Sequence, residues 1–296
     1  MASPSTSTGS RPSMNPGKLR VLLEMIKWEH TAFALPFAYA GMLAAPVPFS
    51  FSNLFWITVA MIGARTAGMT LNRIIDAGID ARNPRTADRA IPKGLIGVKE
   101  AWVFTVAAIA LLILATFFLA PITRILWPLV VLGFVVYPYT KRFTWLCHLA
   151  LGAANGLAPG AAWVAVTGEI SWTPVFIWAG AALWVAGFDV IYALLDRDFD
   201  LENRVNSLPA RFGIGAALVV SRVWHVLSVA FLVAFEHRVH ERRDRLPVLQ
   251  RLHQRLRKLL RHRAVRSGFM PRDDDCAQQR CGHRRHQHLT ECLLLR

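Results

Sequence analysis

Charge is what this chain has least of. Only 18% of its 296 residues are Asp, Glu, Lys or Arg, whereas 54% are hydrophobic. That balance excludes an ordinary soluble domain, because apolar runs of membrane-spanning length recur. They lie near 31–49, 54–75, 100–120, 122–138, 144–167, 173–194 and 214–235, about seven spans in all. Cysteine is also scarce. Of Cys147, Cys276, Cys281 and Cys292, three fall in the C-terminal tail, so no disulfide framework is implied. No short cleavable signal precedes the first apolar run, which reads as a retained span.

Lys and Arg are missing from every second connection. The segments 50–53, 121–122 and 168–172 have none. The other connections are basic, with Lys18, Arg20 and Lys27 before the first run and Arg82, Arg85, Arg89 and Lys93 in loop 77–98. Lys141 and Arg142 follow the fourth run, and Arg197, Arg204 and Arg211 the sixth. The positive-inside bias then predicts a multi-pass protein of the cytoplasmic (inner) membrane, with its N-terminus and all the basic loops on the cytoplasmic side.

Acids are the most informative of the rare residues. Two clusters end long apolar runs, each beside a basic loop: Asn72, Asp76 and Asp80 in LNRIIDAGID, and Asp189, Asp196 and Asp200 in DVIYALLDRDFD. An acid at the bilayer centre costs roughly 2.5–3.5 kcal/mol on insertion scales, so it is rarely retained without a use. On a helix, residues four apart share a face. Asn72, Asp76 and Asp80 then form one line, with Arg65 about two turns deeper. Asp189, Tyr192, Asp196 and Asp200 form another, and Asp198 points away to the surface. Carboxylates so close repel unless something positive lies between them. Hard oxygen donors suit Mg²⁺, which is commonly shared with substrate phosphates. The expected metal ligands are Asn72, Asp76, Asp80, Asp196 and Asp200. Arg85, Arg89, Lys93, Lys141 and Arg142 are candidates to neutralise the remaining oxygens of a diphosphate. The plain alternative is a pair of solvated helix ends.

The chain divides into a Ser/Thr/Pro-rich N-terminal segment over 1–17, a membrane domain over 18–236 and a basic tail over 237–296. The tail has 16 Lys and Arg against 6 Asp and Glu, hence +10 of the chain's +15. Several readings compete for it. Segment 246–260 has the pattern of a basic amphipathic helix for an anionic membrane surface. Cys276, Cys281 and His283 form an irregularly spaced candidate for zinc. Charge alone would permit nucleic acid, but no binding motif is present, and no nucleic-acid partner is expected. A reading-frame shift near 236, replacing further apolar spans with Arg/His-rich sequence, accounts for the abrupt change.

The motifs resemble the UbiA superfamily of intramembrane prenyltransferases. Asn72, Asp76 and Asp80 match N-x-x-x-D-x-x-x-D, and Asp189, Tyr192, Ala193, Asp196 and Asp200 match D-x-x-Y-A-x-x-D-x-x-x-D. The loop RNPRTADRAIPKG at 82–94 is similar to that family's Arg-rich stretch, and YPYTKRFT at 137–144 resembles its Y-P-x-x-K-R-x-T segment, giving Tyr137, Lys141 and Arg142. The resemblance implies an all-α bundle of nine spans, of which about seven are visible, around a cavity open to lipid. It implies Mg²⁺-dependent transfer of a polyprenyl group from polyprenyl diphosphate to an aromatic acceptor. By the same token Asp76, Asp80, Asp189, Asp196 and Asp200 would be catalytic. Arg65, Asn72, Arg85, Arg89, Lys93, Tyr137, Lys141, Arg142 and Tyr192 would hold substrate, Arg65 pairing with an acceptor carboxylate. The segment KWEHTAFALPFAYAG is closest in pattern to members of the alternative, futalosine-type menaquinone route, so both 4-hydroxybenzoate and a dihydroxynaphthoate are open as acceptor. Two rival classes stand beside this reading: a transporter, which also keeps acids in the membrane, and an inactive, shortened relative.

Overall fold

The computed structural model describes residues 16–266, and among them there is helix and no strand. The helices are α1 (Pro16–Ile26), α2 (Trp28–Ala44), α3 (Phe51–Asp80), α4 (Val98–Thr116) and α5 (Thr123–Thr140). They continue with α6 (Cys147–Asn155), α7 (Leu157–Thr167), α8 (Trp172–Ala193), α9 (Arg197–Glu202) and α10 (Leu208–Arg266). Six stretches of the described residues are long and apolar enough to cross a membrane: Phe51–Asp80, Val98–Thr116, Thr123–Thr140, Cys147–Thr167, Trp172–Glu202 and Leu208–Arg242. The first of the seven expected spans falls short, since its apolar helical part is only Thr31–Ala44. At a rise of ~1.5 Å per residue it covers about 21 Å of a ~30 Å hydrocarbon layer. Pro36 lies inside it, and α2 ends where the Ala45–Pro46 sequence leaves the helix in extended backbone.

The span expected over 144–167 is two helices. Gly156 separates α6 from α7, and Pro159 has no N–H to offer the Asn155 carbonyl. The small residues of 151–162 permit a close crossing: a Cβ on Gly156 would come within 2.7 Å of the Ala182 Cα on α8. Lipid tails give no hydrophobic advantage to helix association, so packing and interhelical hydrogen bonds must supply it. The α8–α10 seam shows both. Ser221 and Ser228 are buried and donate to the carbonyls of Gly187 and Gly180, each at 2.7 Å. Both pairs are seven residues apart, so they fall on one face of each helix. His225 fills the same seam, edge-on to Trp184 at 5.1 Å.

Three spans are longer than a bilayer needs, and two of them carry the acidic motifs. Helix α3 has 30 residues, about 45 Å of helix at ~1.5 Å per residue. Trp172–Glu202 has 31. Both exceed the ~30 Å apolar layer, and in each the acids sit at the C-terminal end. The described residues divide after His240 into two units. Segment 246–260 of the second is helical, in keeping with its sequence pattern. Cys276, Cys281 and His283 lie outside the described residues.

Candidate active site

Helix α3 runs unbroken to Asp80, so Asn72, Asp76 and Asp80 do share its face. They are not a solvated helix end, because Asp76 is 2% exposed and Asp80 5%. Buried carboxylates must be paired, and each is. Asp76 takes Lys141 Nζ at 2.7 Å and the Asn72 side-chain amide at 2.7 Å. Asp80 takes Arg89 Nη1 at 2.6 Å, with Arg73 Nη1 at 4.0 Å. Arg73 precedes Asp80 by seven residues, which places both on one side of α3. That spacing is a usable sequence signal for a site residue that motif matching passes over.

The second motif departs from the expected single face. Helix α8 ends at Ala193, Leu194–Asp196 form one 3₁₀ turn, and α9 begins at Arg197. The tighter turn re-aims the residues on its C-terminal side. Asp196 and buried Asp200 face the first motif's surroundings, whereas Tyr192 is 65% exposed, with its ring 6.3 Å from that of Phe188. Tyr192 is therefore not aligned with the acids. Asp198 is on the surface as expected, paired with Arg197 at 3.0 Å.

The loop after α3 brings the two motifs together. Asn83 accepts from the Arg85 backbone N–H at 2.9 Å, which shapes the turn. Its amide donates to Asp196 at 2.9 Å. Arg85 grips the same carboxylate through Nε at 2.8 Å and through Nη2, a two-pronged pairing. That hydrogen bond holds the Arg85 guanidinium above its ordinary pKa. Arg85 also lies within electrostatic reach of Asp80 and Asp200. Arg89, bonded to Asp80, acts on Asp196, and Lys141, bonded to Asp76, acts on Asp200. Thus three cations are shared between carboxylates of two separate spans. The loop before α10 closes the set, with Asn206 N–H donating to the Lys141 carbonyl at 2.8 Å.

Three further expected residues make their direct contacts with other partners, although Arg142 stays within electrostatic reach of Asp76. Lys93 pairs with Asp88 within its own loop at 2.9 Å, away from the acids. Arg142 donates to the Ile75 carbonyl at 2.7 Å and covers the Tyr139 ring at 4.7 Å. Asp189 is held by His148 Nδ1 at 2.7 Å. His148 Nε2 accepts the Leu208 N–H at 3.2 Å, so the ring proton belongs on Nδ1, directed at Asp189. Arg65 donates to the Asn155 side-chain oxygen, and its Nε is buried without a partner. Tyr137 is buried within electrostatic reach of Arg65, Arg73, Asp76 and Asp189.

Among the described residues no three carboxylate, His or Cys groups already stand as a metal cage, since basic side chains occupy the positions between the acids. The donor set nonetheless fits a hard cation. All its ligating atoms are oxygens, and Asp76 Oδ1 is buried with no hydrogen-bond partner.

A model of the UbiA prenyltransferase family matches residues 34–239. The 4-hydroxybenzoate octaprenyltransferase of Vibrio campbellii is 34% identical over 200 residues, covering 67% of this chain and 69% of that one. That of Pseudomonas fluorescens is 34% identical over 202 residues, 67% of each. The apo structure of a UbiA homolog from Aeropyrum pernix K1 is 35% identical, with a TM-score of 0.66 over 72% of this chain and 80% of that one. A UbiA homolog from Archaeoglobus fulgidus, bound to GPP and Mg²⁺, shares the fold at 21% identity and a TM-score of 0.58 over 74% of this chain and 77% of that one.

Proposed function

The chain belongs to the UbiA prenyltransferase family, and from that premise we propose that it joins a polyprenyl chain, taken from its diphosphate, to the ring of an aromatic carboxylate. The observation that carries this reading is the sharing of Arg85, Arg89 and Lys141 between the two acidic motifs. A diphosphate seated there would find three cations already gathered, each able to turn from a carboxylate to a phosphate oxygen. Asn72, Asp76, Asp80, Asp196 and Asp200 would hold Mg²⁺. When bound, that ion neutralises charge on the leaving diphosphate.

The chain's own residues account for the remaining steps. Arg85, Arg89 and Lys141 stabilise diphosphate as its C–O bond to the allylic carbon breaks. Apolar walls keep water from the resulting cation. A ring carbon beside the acceptor's phenol forms the new C–C bond, and the proton on that carbon then leaves. Asp189, held in place by His148, is the group proposed to receive it. Arg65 has an unpartnered Nε to offer the acceptor carboxylate. Both 4-hydroxybenzoate and a dihydroxynaphthoate carry such a group, and the names of the relatives favour the first.

The same reading puts the acidic site and the N-terminus on the cytoplasmic side of the inner membrane, and keeps 1–17, 18–236 and 237–296 as separate segments. Membranes containing the full chain, supplied with Mg²⁺, radiolabelled polyprenyl diphosphate and each acceptor in turn, provide the test. Mass spectrometry should find a prenylated hydroxybenzoate. A prenylated naphthoate alone would reassign the acceptor, and release of diphosphate without any ring product would end the proposal.

A further inference from the structure

Beside the acidic site lies a cleft of about 390 Å³ that shares Lys141 with it and whose other residues the proposed chemistry does not use. Its floor is Ile75 and Ile79, on the face of α3 next to the one bearing Asp76 and Asp80. Its charged lining is all of one sign: Arg82, Lys141, Arg142 and Arg204. Only Lys141 among them has a carboxylate partner, Asp76 on the far side.

The guanidinium groups are arranged by the backbone. Arg82 Nε donates to the Gly78 carbonyl at 3.2 Å, and Arg142 Nη2 to the Ile75 carbonyl at 2.7 Å. Each carbonyl takes one donor from a group that has five, so the rest of each fork stays available at the cleft. Arg204, also in the lining, has φ 54, in the left-handed region. The Val205 N–H bond to the Asp200 carbonyl, at 2.9 Å, fixes the loop beside it. Residues with a side chain rarely adopt that conformation. Three guanidinium groups converge on one hollow without an acid in its wall, and like charges so placed repel unless an anion joins them.

We propose that this cleft is a second oxyanion site, which takes a phosphate-bearing anion independently of metal. Two sources could supply that chemistry: inorganic diphosphate released from the acidic site across Lys141, or the headgroup of an anionic phospholipid. The first source rests on the function proposed above, and the site itself does not.

The experiment uses the full chain in phosphatidylcholine nanodiscs, with radiolabelled inorganic diphosphate in the presence of EDTA. Chelation removes binding that depends on Mg²⁺ at the acids, and binding at the cleft persists. Arg82→Gln and Arg204→Gly should each weaken it by about tenfold or more, the loss of one charge-assisted contact. Glycine adopts positive φ freely, so Arg204→Gly removes the charge without disturbing the loop, and an unchanged melting temperature verifies this. Repeating the measurement in discs containing phosphatidylglycerol separates the sources. Reduced diphosphate binding identifies the lipid headgroup as the resident anion, and unaltered binding identifies free diphosphate. Absence of binding in EDTA, or equal binding by both variants and the parent, overturns the proposal. Failure of the acidic-site reading would show separately, as absence of Mg²⁺-dependent ring product.

Discussion

At the residue scale, the acids of the two motifs are told apart by their partners. Asp76 and Asp196 belong to different spans and are each paired with a cation that also acts on the other motif. Asp76→Asn or Asp196→Asn should lower product formation in membranes by about a hundredfold or more, because a neutral amide cannot balance either a metal ion or those cations. Arg65→Gln should raise KM for the acceptor while leaving that for polyprenyl diphosphate nearly unchanged, in steady-state kinetics with each substrate varied. The acidic residues were legible in the sequence because helical spacing displays them. Their partners were only partly so. Asn83 reaches Asp196 across 113 positions of chain, and His148 reaches Asp189 across 41. No local pattern encodes such a pairing, and an isolated histidine in an apolar run reads as packing. Lys93 differs for the reverse reason: its direct partner is an acid five positions earlier in its own loop, Asp88.

At the element scale, apolar periodicity was enough to place the helices but not their breaks. The 3₁₀ turn at Leu194–Asp196 carries no Pro or Gly to announce it, so helical spacing alone groups Tyr192 with acids that it does not face. The break at Gly156 is explained by a residue three positions later, Pro159, and by the crossing helix. Gly156→Leu should therefore be among the more damaging changes outside the site. Overpacking of this kind costs roughly 1–3 kcal/mol, measurable as a lowered melting temperature of the purified protein in detergent. Ser221→Ala and Ser228→Ala should each cost less, about 0.6 kcal/mol, the typical worth of an interhelical hydrogen bond in a membrane.

At the scale of the whole molecule, the alternation of basic and charge-free connections predicts an orientation that labelling can check. In an otherwise cysteine-free background, Ala87→Cys in the loop after α3 should react with an impermeant maleimide only in inside-out vesicles. Ile170→Cys, between α7 and α8, should react only in right-side-out ones. The reverse pattern would place the acidic site on the outer face. Length limited how much of the fold the sequence displays. An apolar run announces a span, yet Phe51–Asp80 and Trp172–Glu202 run on past it into their acidic motifs, and a hydropathy profile alone does not say where the lipid stops.

Arg85 is more than a neighbour of Asp196. It straps the loop that follows one long helix to the end of another, and its grip is electrostatic. Any incoming headgroup able to win that guanidinium would unbuckle the strap in the same motion. Arrival of the donor and loosening of the doorway would then be a single event, with the protein at its most tightly fastened while it waits.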